Sequence, residues 1–251
     1  MDWTVLALSA LAGCVGGAMN ALAGGGAFAT MPALIGLGLP STIANATSNV
    51  SMQPAAMASA WTFRRGLGPL GGLSIRLLAA LNFVAALVGS YLLVVTPPTA
   101  FDVIVPWLLL LAFGAIAAGQ RGAAWLKARV TIGAPSLIVA QIVLGVYGGY
   151  FGGGIGMMIT AVYGLLTGVD PKRMAAPRTL LLAVANFAAA LVFLTSGMVA
   201  WTACVPMLLG GLVGGWGGAW LGERLSPRII RLWTLAVTGV TTAVFFWRAF
   251  G

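Results

Sequence analysis

The sequence predicts an all-α polytopic membrane protein, and three observations carry that expectation. Apolar residues fill 60% of the 251 positions and charged residues only 7%. A soluble domain covers its surface with roughly 25% charged residues, so most of this surface must face lipid. Apolar runs of span length recur from one end of the chain to the other. Two of those runs are too long for a single crossing and are broken by glycine clusters. The same composition excludes several chemistries. The chain has no His, two Cys and four carboxylates, which removes His-ligated metals, His-based triads and Cys-rich clusters, and no cofactor is expected. Cys14 and Cys204 sit in apolar runs and read as small packing residues. The net charge of +9 is spread between apolar runs. It is therefore a topology signal and not a nucleic-acid surface.

The elements follow in order. Residues 4–23 lack a basic leader and a small-residue cleavage site, and read as structure rather than a removable signal. Apolar segments continue at 27–39, 44–63, 71–95, 101–119, 135–151, 155–168, 176–196, 201–221 and 232–250. A full crossing needs about 20 residues at 1.5 Å each, and several segments meet that alone. Trp61, Trp201, Trp220, Trp233 and Trp247 fall near segment ends, where an interfacial indole is favoured. The stretches 4–39 and 135–168 would be about 50 Å long as straight helices, well beyond a hydrocarbon core of about 30 Å. Gly24–Gly26 interrupts the first; Gly152–Gly154 with Gly156 interrupts the second.

The two halves repeat. Gly24 and Gly152 stand 128 positions apart, as do Gly36 and Gly164. Each glycine cluster precedes a short apolar helix, a Gly-containing turn and a longer span. Charge then selects the topology. If both long stretches cross once, the halves hold four spans each, a parallel 4+4 arrangement, and the thirteen Lys and Arg split seven to six across the membrane. If both are hairpins returning to their own side, twelve share one side: Arg64, Arg65, Arg76, Arg121, Lys127, Arg129, Lys172, Arg173, Arg178, Arg224, Arg228 and Arg231. Only Arg248 falls opposite. The positive-inside rule favours the second. Each half then holds a glycine-tipped hairpin plus three transmembrane helices, and two such halves form an inverted repeat. The first repeat is 1–126 (hairpin 4–39, spans 44–63, 71–95 and 101–119). The second is 127–251 (hairpin 135–168, spans 176–196, 201–221 and 232–250). Both termini are then expected on the periplasmic or extracellular side.

The hairpin tips are the candidate site. Open backbone at membrane depth is tolerated only where it is buried in protein or lines a wet cavity. The helix after each tip is only about 20 Å long, so its free N–H groups and positive dipole end fall within the membrane, where they suit an anion. Gly24, Gly25, Gly26, Gly152, Gly153 and Gly154 are the residues concerned. The competing explanation is close helix packing. Thr47, Ser48 and Asn49 open the next span with Gln53 one turn on. In the second half Arg178 and Thr179 stand at the equivalent place, with Asn186 two turns further. Hydroxyl, amide and guanidinium donors suit an oxyanion; capping by Thr47 and Ser48, and anchoring by Arg178, are the alternatives. Asn20, Asn82 and Gln141 read as interhelical hydrogen-bonding amides. Asp2, Asp102, Asp170 and Glu223 all lie at ends or loops. The buried carboxylate of a proton-coupled carrier, and the carboxylate pair of a hydrolase, are therefore missing, and no enzyme activity is expected. The basic segment 123–129 reads as an interfacial linker between the halves.

At these residues the sequence resembles the TauE/SafE family of sulfite exporter-like permeases. The matching parts are Ala23-Gly24-Gly25-Gly26 through Pro32-Ala33-Leu34, Leu37-Gly38-Leu39-Pro40 and Ala44 to Ser48, then Gly149 through Gly156 to Thr167-Gly168-Val169-Asp170. The resemblance spans essentially the whole chain. It implies movement of small sulfur-containing or carboxylate anions such as sulfite and sulfoacetate. Ala46-Thr47-Ser48 stands where the pattern often has Gly-Thr-Ser, and Pro177-Arg178-Thr179 is a second departure. The expectation is a bacterial inner-membrane transporter for such anions, exporting them; a monovalent anion leaving an inside-negative cell gains about 2.3 kcal/mol per 100 mV. A passive anion channel, an importer and a non-transporting membrane subunit are the alternatives. The expected partners are the bilayer and a small anion, with a homodimer left open and nucleic acid excluded.

Overall fold

The computed structural model describes residues 3–127, 133–169, 173–222 and 224–251, without the side chains of 119–127 and Pro227. Asp2, Asp170, Glu223, Arg129 and Lys172, and the side chains of Arg121 and Lys127, lie outside the described residues. The described residues form ten α-helices: α1 Trp3–Ala23, α2 Ala27–Gly36, α3 Ser41–Phe63, α4 Ile75–Val95, α5 Pro98–Lys127, α6 Ala134–Tyr150, α7 Ile155–Thr167, α8 Ala175–Thr195, α9 Trp201–Gly222 and α10 Pro227–Phe250. Six of them are long and apolar enough to cross a membrane: α1, α4, α5 over Pro98–Ala118, α8, α9 and α10. Their outward faces carry exposed Val84, Trp107, Val213, Trp216 and Trp247, a surface suited to lipid.

The two long stretches are hairpins and not single crossings. α2 folds back on α1, so that Gly16 lies against Thr30 and Gly26 against Asn20. α7 folds back on α6, where Gly148 meets Ile155 and the Tyr163 hydroxyl donates to Gln141 Oε1 at 2.7 Å. Each hairpin's first helix packs on a span from the other half of the chain. Gly13 of α1 meets Met207, Gly17 meets Gly211 and Ala18 meets Gly218, so α1 and α9 run in the same direction. Likewise Asn82 of α4 meets Gly145 and Ala86 meets Gly149, so α4 and α6 run together. Glycine lets the two backbones approach to a separation at which any side chain would strike a carbonyl, and in lipid that packing drives helix association.

The basic loops gather at one end. Gly71, in the loop after α3, lies against Leu137 and Thr167, the outer ends of α6 and α7. Arg231 in the early turns of α10 donates to the carbonyls of Ile116 and Ala117, at the end of the apolar part of α5, at 3.5 and 3.2 Å. At the opposite end the starts of α3 and α5 meet, Ser41 Oγ donating to Pro98 O at 3.5 Å. Arg64 lies over the Trp61 ring at 3.9 Å and Arg224 over Trp220 at 3.7 Å, as interfacial cation–π pairs do.

Three boundaries differ from the sequence reading. α10 begins at Pro227, because Ser226 Oγ accepts from Ile229 N at 3.4 Å and proline suits a first helical position. α5 runs 30 residues to Lys127, about 45 Å, so the expected linker helix starts as a continuation of α5. α3 is long enough to span at 23 residues, yet its Thr, Ser, Asn and Gln content keeps it out of the apolar set. Fourteen of those residues are buried, which makes α3 an inner polar helix sheltered by its neighbours. Cys14 and Cys204 are both free, as packing residues should be.

Candidate functional site

The two glycine tips touch. At Gly24 the backbone turns with φ +76°, and a Cβ added there would lie 2.8 Å from the Cα of Gly156 in the other hairpin. Gly152 turns with φ +69° at the second tip. L-residues reach this left-handed region only at a cost of about 1–2 kcal/mol. Around the junction Gly25 lies against the Met157 methyl, and Gly154 against the ring of Phe28. Each tip thus rests on the helix that leaves the other.

These turns leave backbone donors unused. In the first tip the N–H groups of Phe28, Ala29 and Thr30 bond to Gly25 O and Gly26 O at 3.1–3.2 Å. Those of Gly25, Gly26 and Ala27 have no partner among the described residues. In the second, Ile155 N bonds Gly152 O at 3.3 Å and Met158 N bonds Gly154 O at 2.9 Å. The N–H groups of Gly153, Gly154, Gly156 and Met157 have no partner among the described residues. No side chain caps α2 or α7. An uncapped helix start exposes free donors at its positive end.

α3 and α8 carry amides to this junction. A cavity of about 20 Å³ lies there, lined by Asn20, Gly24, Gly26 and Ala27 from the first hairpin, Asn45, Ser48, Asn49 and Met52 from α3, Phe151 and Gly152 from the second tip, and Leu182 and Asn186 from α8. It has room for one or two waters. Asn45 Nδ2 donates to Tyr150 O at 3.1 Å, closing an open carbonyl at the end of α6. Asn49 Nδ2 donates to Asn186 Oδ1 at 3.4 Å, joining α3 to α8. Ser48 Oγ shares a 2.5 Å hydrogen bond with Thr30 Oγ1 of α2. The oxygens Asn45 Oδ1 and Asn49 Oδ1 are buried and have no partner among the described residues.

The structure places the sequence candidates in three groups. Gly24, Gly26, Ser48, Asn49, Gly152 and Asn186 line the cavity together. Gly25, Gly153 and Gly154 belong to the tips but turn away from it: Gly25 packs on Met157, Gly154 on Phe28, and the Gly153 carbonyl accepts from Tyr147 Oη at 2.7 Å. Thr47, Gln53, Thr179 and Arg178 do not line it. Thr47 Oγ1 accepts from Ala200 N at 3.0 Å and so pins the start of α9. Gln53 Nε2 donates to Ala183 O at 3.2 Å across α3 and α8, and Thr179 Oγ1 bonds back to Ala175 O and Ala176 O. Arg178 sits in the first turn of α8, beside the cleft formed by Arg65, Arg173 and Pro177 at the basic end. Asn82 and Gln141 bridge helices as expected: Gln141 Nε2 donates to Asn82 Oδ1 at 2.8 Å, and Asn82 Nδ2 to Leu181 O at 2.6 Å. Asn20 differs, because it faces the cavity. Asn45 was not among the candidates; its signal is the Asn45–Asn49–Gln53 stripe at intervals of four, one helical face of amides.

The chain matches the model of the Sulfite exporter TauE/SafE family over residues 9–245. It is 24% identical over 241 residues to the "Probable membrane transporter protein YfcA" of Escherichia coli (strain K12), covering 94% of this chain and 87% of that protein. It is 26% identical over 211 residues to a "Probable membrane transporter protein" of Haemophilus influenzae, covering 83% of this chain and 82% of the relative. No solved structure matches it. The chain belongs to the TauE/SafE family.

Proposed function

From its membership of the TauE/SafE family, we propose that this multi-pass membrane transporter moves small sulfur-containing or organic anions, sulfite and sulfonates such as sulfoacetate, out across the bacterial inner membrane. One observation carries the reading: two uncapped helix starts meet beside an amide-lined cavity, into whose lining the first brings Gly26 and Ala27, whose N–H groups have no partner among the described residues. Such a junction favours negative charge without a formal positive charge. The cavity lies on the first half of α3 and the middle of α8, among buried residues of both. Discontinuous helices that aim their N-termini at a substrate near the midplane are a recurrent transporter plan.

The helix pairing supports reading 1–126 and 127–251 as inverted repeats. Exchanging the halves turns α1 on α9 into α6 on α4, and leaves the α3–α8 and α5–α10 contacts in place. The clustering of Arg64, Arg65 and Arg231 with the outer ends of α5, α6 and α7 supports a cytoplasmic assignment for that end, with α1 starting on the other.

Counterflow in proteoliposomes tests the function. Vesicles preloaded with unlabelled sulfite or sulfoacetate should accumulate the labelled anion transiently, and chloride-loaded vesicles should not. Vesicles that show no counterflow with any sulfite, sulfonate or carboxylate in a panel would defeat the transporter reading for this substrate class.

A further inference from the structure

The two hairpins share their glycines and differ in what ties them down. Gly24 and Gly152, and likewise Gly36 and Gly164, stand 128 positions apart, so that offset pairs residues of one hairpin with those of the other. In the second hairpin a chain of hydrogen bonds leaves α7. Tyr163 Oη donates to Gln141 Oε1 of α6, Gln141 Nε2 to Asn82 Oδ1 of α4, and Asn82 Nδ2 to Leu181 O of α8. All three side chains are fully buried. Tyr147 Oη holds the Gly153 carbonyl of the tip as well. At the matching positions of the first hairpin stand Ile35 for Tyr163, Gly13 for Gln141 and Met19 for Tyr147. None of these carries a side-chain donor. Among the described residues, one hydrogen bond joins α2 to a neighbouring helix, that between Thr30 Oγ1 and Ser48 Oγ of α3. The other buried side chains of α2 are apolar: Phe28, Met31, Leu34 and Ile35. α2 is also the weaker helix. It has ten residues with Pro32 inside it, whereas α7 has thirteen, with Thr160 at the matching position. Proline has no N–H, so the bond that would close on the Phe28 carbonyl is missing. Displacing α7 would strand buried amides, a penalty that apolar contacts re-formed in a shifted position do not carry.

We propose that the two hairpins do not move alike: α2 is the moving element of the junction, swinging about the Gly24–Gly26 turn, and the α6–α7 hairpin is the fixed wall against which it closes. The role in transport rests on the proposed function, and the difference in mobility rests on the helices themselves. The lining of the cavity agrees with it. Gly26 and Ala27, at the start of α2, line the cavity, and no residue of α7 does. Motion of α2 therefore changes the cavity directly, while α7 bears on it only through the tip that precedes it. A short helix hinged at glycines and weakened by an internal proline suits such a lid.

Amide hydrogen exchange of the whole protein in nanodiscs, read by mass spectrometry, tests this with no substrate present. Peptides covering α2 should exchange about tenfold faster than those covering α7. Tyr163→Phe cuts the chain where it leaves α7, and should raise exchange in α7 by about tenfold with α2 unchanged. Pro32→Ala supplies the missing N–H. It should slow exchange in α2, and it should slow sulfite counterflow in proteoliposomes with half-saturation unchanged, because a stiffer lid moves less often but closes on the same site. Equal exchange of the two helices in the wild type, equal loosening of both by Tyr163→Phe, or a wild-type counterflow rate in Pro32→Ala despite slowed α2 exchange would each overturn the inference, leaving anion transport standing. No sulfite counterflow in the wild type, with the exchange difference intact, would instead remove the transport reading and leave α2 as the mobile helix.

Discussion

Gly24→Ala is the sharpest probe of the junction, since it adds one methyl group where the two tips meet. Two costs follow from the geometry. An alanine at φ +76° loses about 1–2 kcal/mol relative to an unstrained backbone. Its Cβ, 2.8 Å from the Gly156 Cα, meets backbone and not a flexible side chain, and overpacking of that kind costs about 1–3 kcal/mol. Together they amount to roughly 2–5 kcal/mol. The tips must part to relieve it, which separates the free N–H groups of one hairpin from those of the other. If about 2 kcal/mol appears in substrate affinity, the loss is about thirtyfold. Gly36→Ala is the matched control: no atom lies within 4 Å of its Cβ position, and its φ is ordinary. Both variants should be reconstituted and compared for half-saturation in counterflow and for melting temperature in detergent. Gly24→Ala should lose affinity, stability or both, while Gly36→Ala should match the wild type. Equal affinity and equal melting in the two would show that the tips are not held together as the structure has them.

Gly214→Ala should destabilise the α1–α9 pair severely, because its Cβ would fall on the Cys14 carbonyl, whereas Gly215→Ala meets Ala55 at 3.7 Å and the Gly17 carbonyl at 3.9 Å, both ordinary contacts; thermal unfolding in detergent distinguishes them. Asn82→Leu removes the link between Gln141 and the Leu181 carbonyl, and melting should show a loss of about 1–2 kcal/mol, the scale of a buried interhelical amide bond in lipid. Arg178→Lys should transport with wild-type affinity, because Arg178 is absent from the cavity lining and the positive-inside bias counts Lys and Arg alike. A tenfold affinity loss in that variant would make the guanidinium a substrate ligand.

The hairpins were legible because glycine runs at membrane depth have few uses. Lipid forbids open backbone unless protein surrounds it, so Gly24–Gly26 and Gly152–Gly154 had to be buried turns. Which glycine faces which way was not legible. Neighbouring residues in a tight turn point apart, and Gly24 and Gly152 reach the cavity where Gly25 and Gly153 do not. The same difficulty governs α3. Thr47, Ser48 and Asn49 are adjacent in sequence but stand about 100° apart around a helix. Ser48 and Asn49 therefore turn inward while Thr47 turns to Ala200. Read as a helix start, the segment suggested caps; the structure starts α3 earlier, at Ser41, which shifts these residues into the second and third turns. Asn45 escaped notice for that reason, since it fell at the expected boundary and not on a helical face. Arg178 drew attention by charge, and charge in this chain marks sidedness.

On the proposed function, the lining would hold an anion without a formal positive charge. An arginine clamp gives bidentate, charge-assisted bonds in fixed geometry, and strong binding of that kind slows release on the far side. Helix starts contribute about 0.3–1 kcal/mol each at exposed positions and up to about 2 kcal/mol when partly buried. Hydrogen bonds from N–H groups to a charged ligand add about 1.5–3 kcal/mol apiece. A ligand gains most when both helix starts act on it at once. Gly25 lies against Met157 of α7 and Gly154 against Phe28 of α2, so relative motion of the hairpins changes how the two starts meet. Affinity is then a function of tip separation. A transporter built this way loosens its substrate by moving two backbones apart, with no side chain that needs to change its charge.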